Sequence, residues 1–228
     1  MQQLGGFVFA VCLAATAAGQ APDAGKDATP RASALPADIH PDSLSRLPEV
    51  KRTDLDADGQ RIYDYIAGPN KTFPPTGPAA VSIYSPKVAE SIQMLNQYLR
   101  FHGVLSRRDT ELAILVAARE FDQAYEWTGH EAAARNAGVD QSIIDVVKYG
   151  KDETGLSDKD TLIIRFGRQL FREHKLDSAL FAKAVDLFGR QGTVEMATVM
   201  GDYAMAAIML TAADQHLPAD RKSTLPPR

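Results

Sequence analysis

The sequence predicts an all-α protein, and three observations carry that expectation. From about residue 54 onward the apolar residues follow helical spacing. Helix-opening Ser, Asp and Pro and helix-closing Gly punctuate that region at short intervals. Strand-like alternation is confined to the single stretch "AAVSIYS". Together they give seven to eight helices joined by short loops, with no internal repeat.

Each element has its own signal. The first helix holds Ile62, Tyr63 and Ile66. Its leader, "DLDADGQRIYDY", imitates a calcium loop, with Asp54, Asp56, Asp58 and Gly59 at the right places. Tyr65 stands where a bidentate Glu is required, so the aspartates are read as helix caps. Ser85 with Pro86 opens a helix that runs to about Phe101. Ser106, with Asp109 in the first turn, opens one to about Phe121. The next spans about Ala124 to Ala137 and stops at Gly138. Asp140 starts a short helix ended by Gly150, and Ser157 with Asp160 makes a capping-box-like start for residues 158–174. Asp177 or Ser178 starts another, ended by Gly189, and a last long helix runs from about Thr193 to Gln215, before Pro218.

Composition excludes several function classes. Among 228 residues there are 25 Lys and Arg against 29 Asp and Glu, with both signs scattered. Without a basic block, nucleic acid is not an expected partner. Residues 1–22 carry no charged side chain, and "GGFVFAVCLAATAAG" is too short an apolar run to span a bilayer as a helix of ~20 residues. No Lys or Arg precedes it, but Ala17 and Gly19 are spaced like a cleavage signal. Residues 1–21 are therefore expected to be a secretory signal peptide, giving a secreted or periplasmic protein free of the membrane after cleavage. Residues 22–52, rich in Ala, Pro, Asp and Ser, read as a flexible linker, residues 53–217 as the helical domain and 218–228 as a disordered tail. Cys12 is the only cysteine and falls in the expected signal. The remainder can form no disulfide, thiolate metal site or cysteine nucleophile.

The candidate site lies in "AYEWTGHEAAARNAG", residues 124–138. Glu126 and His130 are an i, i+4 pair, so both point the same way on the helix. A solvated surface pair is the plain alternative. Against it, Tyr125, Trp127, Ala133, Ala134 and Ala137 leave little of this helix free for solvent. A buried carboxylate beside an imidazole fixes its tautomer and makes a general acid–base unit at neutral pH. Glu111 is the discordant member of the apolar helix before it, four residues ahead of Leu115. Glu111, Glu126 and His130 could also ligate a metal, although the spacing differs from the Glu-x-x-His of di-iron bundles. Thr128 faces away from His130, which argues against a hydroxyl nucleophile. His40 falls in the linker, His174 and His216 sit near helix C-termini, and His102 sits in a helix-ending turn.

The stretch "YLRFHGVLSRRDTELAILVAARE…YEWTGHEAAARNAGV" resembles the carboxymuconolactone decarboxylase family, related to the AhpD-like fold, over roughly residues 60–217. The resemblance implies an AhpD-like orthogonal helical bundle, assembly as a homotrimer or homohexamer, and a reaction without metal or organic cofactor. The family's peroxidase branch carries a Cys-x-x-Cys. Here Gln123 and Glu126 occupy the two cysteine positions and Tyr125 that of the inner histidine, while Glu111 and His130 match the outer Glu and His. Thiol peroxidase chemistry is thereby excluded. The decarboxylase branch shows Tyr-Glu-Trp-x-x-His, as this chain does, and removes CO2 from 4-carboxymuconolactone to give 3-oxoadipate enol-lactone. By that likeness His130 is the proton donor, Glu126 orients it or relays protons, and Glu111 is the partner from the neighbouring helix. Tyr125 would hydrogen-bond the lactone and Trp127 would wall the pocket. The expected ligand is a small carboxylate or lactone. A non-catalytic binding or assembly protein and a metal-dependent enzyme stay open beside the lyase.

Overall fold

The computed structural model describes residues 35–228, which hold eight α-helices and no strand. In chain order these are α1 (Ala57–Ala67), α2 (Pro78–Ser82), α3 (Pro86–Phe101), α4 (Arg107–Glu120), α5 (Ala124–Asn136), α6 (Gln141–Lys148), α7 (Asp158–Arg172) and α8 (Ser178–Ala212). A 3-10 turn over Arg52–Asp54 precedes α1.

The helix starts follow from side-chain chemistry at the exposed first-turn N–H groups. Asp56 accepts from the Gly59 amide at 2.8 Å, so the calcium-like stretch is indeed a cap. Ser106 Oγ accepts from the Asp109 amide at 3.2 Å and donates to the Asp109 carboxylate at 2.6 Å; Ser157 and Asp160 repeat the arrangement on α7. Asp177 caps α8 through the Leu180 amide. Gly189 interrupts α8 at φ 69° and ψ 173°, a conformation open essentially to glycine. The two helices expected on either side of it meet there at a kink, and α8 names the pair.

The core is built around α4, buried without interruption from Asp109 to Arg119, with α5, α7 and α8 packed on it. Leu112, Ile114 and Leu115 are fully buried, each contributing about 1.5–3 kcal/mol. At Gly167 on α7 a Cβ would lie 2.4 Å from Val116 Cγ1, so the α4–α7 contact requires a residue without a side chain.

"AAVSIYS", the one stretch with strand-like alternation, forms no strand, in line with the all-α expectation. Its start forms α2, opened by Gly77 at φ 89° and by Pro78, since a short apolar run fits either structure until its flanks decide. Two expectations are corrected. The linker expected over 22–52 is ordered and packed across residues 35–52. Ile39, Ser43 and Ser45 are buried, the Arg46 amide donates to the Ala213 carbonyl at 2.7 Å, and the His216 amide to that of Leu44 at 2.8 Å. Residues 218–228 are likewise docked. Arg119 donates to the Pro226 carbonyl at 2.8 Å, and Arg228 reaches Glu120 at 3.1 Å. Polar composition masked both segments, because backbone carbonyls and ion pairs, not apolar periodicity, hold them. The expected signal peptide and residues 22–34 lie outside the described residues. No helix among the described residues is long and apolar enough to cross a membrane.

Candidate active site

Glu111 from α4 and His130 from α5 meet at 2.7 Å, Glu111 Oε2 to His130 Nδ1. Glu111 is fully buried. Arg107, one turn earlier, approaches its other oxygen at 2.6 Å, and Arg100 from α3 at 3.5 Å. Burial acts most strongly on this carboxyl and raises its pKa. The hydrogen bond and charge of His130, with the charges of Arg107 and Arg100, outweigh that and hold it below the ordinary range. An ionised carboxylate only accepts, so Nδ1 of His130 is the donor and Nε2 is left for chemistry.

Nε2 stands 3.7 Å from Glu126 Oε2, beyond hydrogen-bond distance. Glu126 is 4% exposed, and its Oε1 has no partner among the described residues. Burial, reinforced by the charge of Asp202, pushes its carboxyl above the ordinary range against the pull of His130 and Arg100. Two carboxylates therefore flank one imidazole with their pKa values driven apart, which is how a site keeps a base and an acid at one pH. The Tyr203 ring meets the imidazole edge-on, centroids 4.8 Å apart, and fixes its plane.

These groups border a cavity of about 270 Å³. His130, Glu126, Tyr125 and Gly129 line it from α5, Asn96 and Arg100 from α3, and Asp202 and Tyr203 from α8, with Ile66, Ala89 and Ile92 among its apolar residues. Tyr125 keeps its hydroxyl on Thr76 Oγ1 at 2.8 Å. Glu111 stands behind His130.

Of the residues singled out in the sequence, Tyr125, Glu126 and His130 line one cavity and Glu111 meets His130, whereas Trp127 does not wall the pocket. It is fully buried on another side of α5, its Nε1 donating to Thr224 Oγ1 at 3.2 Å. Four residues were missed. Asp202 is a lone acid in the apolar run "VMGDYAMAA", the same discordance that marks Glu111. Tyr203 beside it reads as core. Asn96 and Arg100 lie on a helix with ordinary polar residues and give no signal in sequence. The residues matching the thiol positions serve otherwise: Gln123 caps α5 and donates to Thr211, and Glu126 is the buried acid. Metal binding by Glu111, Glu126 and His130 does not fit this geometry. Glu111 and Glu126 lie at opposite nitrogens of the ring, and among the described residues no three His, Cys, Asp or Glu are placed to hold an ion.

Comparison with known proteins agrees with the fold. Residues 86–150 match the Carboxymuconolactone decarboxylase family. No curated protein matches the chain. Among solved structures, an uncharacterized peroxidase-related protein from Silicibacter sp. TM1040 superposes with a TM-score of 0.62 at 15% identity, covering 80% of this chain and 95% of that one. A second, described as an alkylhydroperoxidase AhpD core and an uncharacterized peroxidase-related protein from Ralstonia eutropha JMP134, gives 0.61 at 16% identity with the same coverage. Identities this low establish the fold alone. The chain therefore has an all-α fold similar to that of AhpD-like proteins, and its residues 86–150, carrying Glu111, Glu126 and His130, match the Carboxymuconolactone decarboxylase family.

Proposed function

We propose that the protein is a cofactor-independent carboxy-lyase acting on a small carboxylated lactone of the 4-carboxymuconolactone type, with His130 as proton donor. The observation that carries this reading is the Glu111–His130 pair, which commits Nδ1 to a buried carboxylate and leaves Nε2 at the cavity beside Glu126. Loss of CO2 breaks the carbon–carboxyl bond and leaves its electron pair delocalised toward the lactone carbonyl. In this reading Tyr125, which lines the cavity, stabilises that oxygen by turning its hydroxyl from Thr76 to the substrate. The imidazolium, stabilised by Glu111, delivers its Nε2 proton to carbon, and Glu126 restores it. An exported location and assembly as a homotrimer or homohexamer belong to the same proposal.

A spectrophotometric decarboxylation assay over a small panel of carboxylated lactones tests it. His130→Ala is expected to lower kcat by about 10²–10⁴-fold with the fold retained by circular dichroism. Absence of turnover by the wild type across the panel overturns the reading in favour of a binding role.

A further inference from the structure

The proton-transfer chemistry leaves two polar groups at the cavity without a task. Asp202 on α8 is 5% exposed; its Oδ2 accepts from Asn96 Nδ2 at 2.9 Å, while its Oδ1 has no partner among the described residues. Arg100 on α3 has its side chain 23% exposed and reaches Glu111 only at 3.5 Å, and its Nε has no partner there either. Arg107 at 2.6 Å and His130 at 2.7 Å stand closer to Glu111 than Arg100 does, so Arg100 acts on it through charge alone and keeps its Nε–H free. Buried polar atoms are nearly always paired in native proteins, and those left unpaired mark places where a ligand completes the set. An unpaired guanidinium edge asks for an anion, and an unpaired carboxylate oxygen asks for a donor.

We propose that Arg100 and Asp202 form a two-point subsite for a small hydroxy-carboxylic acid grouping, Arg100 binding the carboxylate and Asp202 accepting from the hydroxyl of the same ligand. This rests on the reading of the cavity as the substrate site and narrows the carboxylated lactones it takes to those that also carry a hydroxyl. Burial, opposed by Asn96 and Arg100, raises the Asp202 carboxyl above its ordinary range, and a ligand hydroxyl supplies the solvation that burial removed. The apolar wall of Ile66, Ala89 and Ile92 accepts a hydrocarbon ring beside the polar pair.

Three acids of one skeleton separate the possibilities by calorimetric binding: mandelate with a hydroxyl, phenylglyoxylate with a carbonyl at the same carbon, and phenylacetate with neither. Mandelate is expected to bind about tenfold more tightly than the other two, the size of one hydrogen bond. In Asp202→Asn the new amide can keep its oxygen toward Asn96 and turn its NH2 to the ligand, so the order reverses in favour of phenylglyoxylate. Arg100→Gln weakens all three acids together. Equal binding of mandelate and phenylacetate by the wild type, or no binding of any of the three at millimolar concentration, overturns the inference even if either variant fails to fold. Turnover of carboxylated lactones bears on the lyase reading and leaves this order of affinities unaffected, so the two proposals fail separately.

Discussion

Helix α5 carries two buried glutamates of nearly equal exposure, Glu126 at 4% and Glu131 at 5%, and the protein treats them oppositely. Glu131 is completed on every side. Lys148 Nζ donates at 2.9 Å, Thr224 Oγ1 at 2.5 Å, and Arg135 lies at 3.5 Å. Burial is the strongest single influence on Glu131 and raises its pKa, but Thr224 and Lys148 together hold it below the ordinary range. Glu126 faces the cavity with one oxygen unpaired, and there burial prevails. The same residue type on one helix is thus a paired carboxylate with its pKa lowered on one side and an incompletely paired one with its pKa raised on the other. What separates them is not depth but the completeness of their partners, and the incomplete one is where chemistry can enter.

The largest effect that would break this contrast lies on the completed side. Glu131→Gln leaves Lys148 buried without a counter-charge, and is expected to cost about 3 kcal/mol, or about 6–12 °C in Tm, by thermal unfolding. A loss no greater than that of a surface substitution would show that the pairing is dispensable. Next comes the docked tail. Thr224→Val removes the partner of Trp127 Nε1 and one donor to Glu131, for about 1–2 kcal/mol. Trp127 is the only tryptophan, so a red shift of its emission reports the opening directly. The smallest stability effect belongs to the incomplete side. Glu126→Gln is expected to leave stability at neutral pH unchanged or raise it by up to about 1 kcal/mol, because the amide pays no charge desolvation.

The pH dependence sharpens the same contrast. Glu126 holds its proton more tightly folded than unfolded, so the wild type loses stability as pH rises from the ordinary glutamate range through its raised folded value. Glu131 is depressed in the folded state, so its stabilisation is present above the ordinary range and lost as pH falls through its folded value. The Tm advantage of Glu126→Gln therefore opens on raising pH, whereas the deficit of Glu131→Gln closes on lowering it. Parallel pH slopes for the two variants, measured between about pH 4 and pH 8, would erase the distinction.

Much of this was legible in the sequence wherever the signal was chemical and local. Ser106 with Asp109, Ser157 with Asp160, Asp56 and Asp177 mark helix starts because a short polar side chain has one favoured use there. Glu111, Glu126 and His130 stand out as polar residues on buried helices, and one imidazole joins all three. Trp127 was misplaced because adjacency in sequence is a turn of about 100° around a helix. It is next to Glu126 in the chain and on a different face in space. Arg100 and Asn96 were invisible because they reach the site from α3, whose polar residues look like those of any solvated helix. The tail was unreadable because its anchors are carbonyls, a threonine and the terminal arginine, none of which leaves a periodic trace.

Gly129 holds one more consequence. It sits in mid-helix on α5 at the cavity wall, and apart from its chain neighbours and its own helix backbone no atom lies within 4 Å of where its Cβ would be. Other glycines answer to necessity: Gly167 to the closeness of Val116, Gly189 to its backbone angles. Gly129 answers to neither, although glycine weakens a helix interior by about 0.5–1 kcal/mol relative to alanine. The empty space before it is thus free to be filled one side chain at a time. The guest's size and the host's architecture are separate variables in this molecule, and evolution can change the first without renegotiating the second.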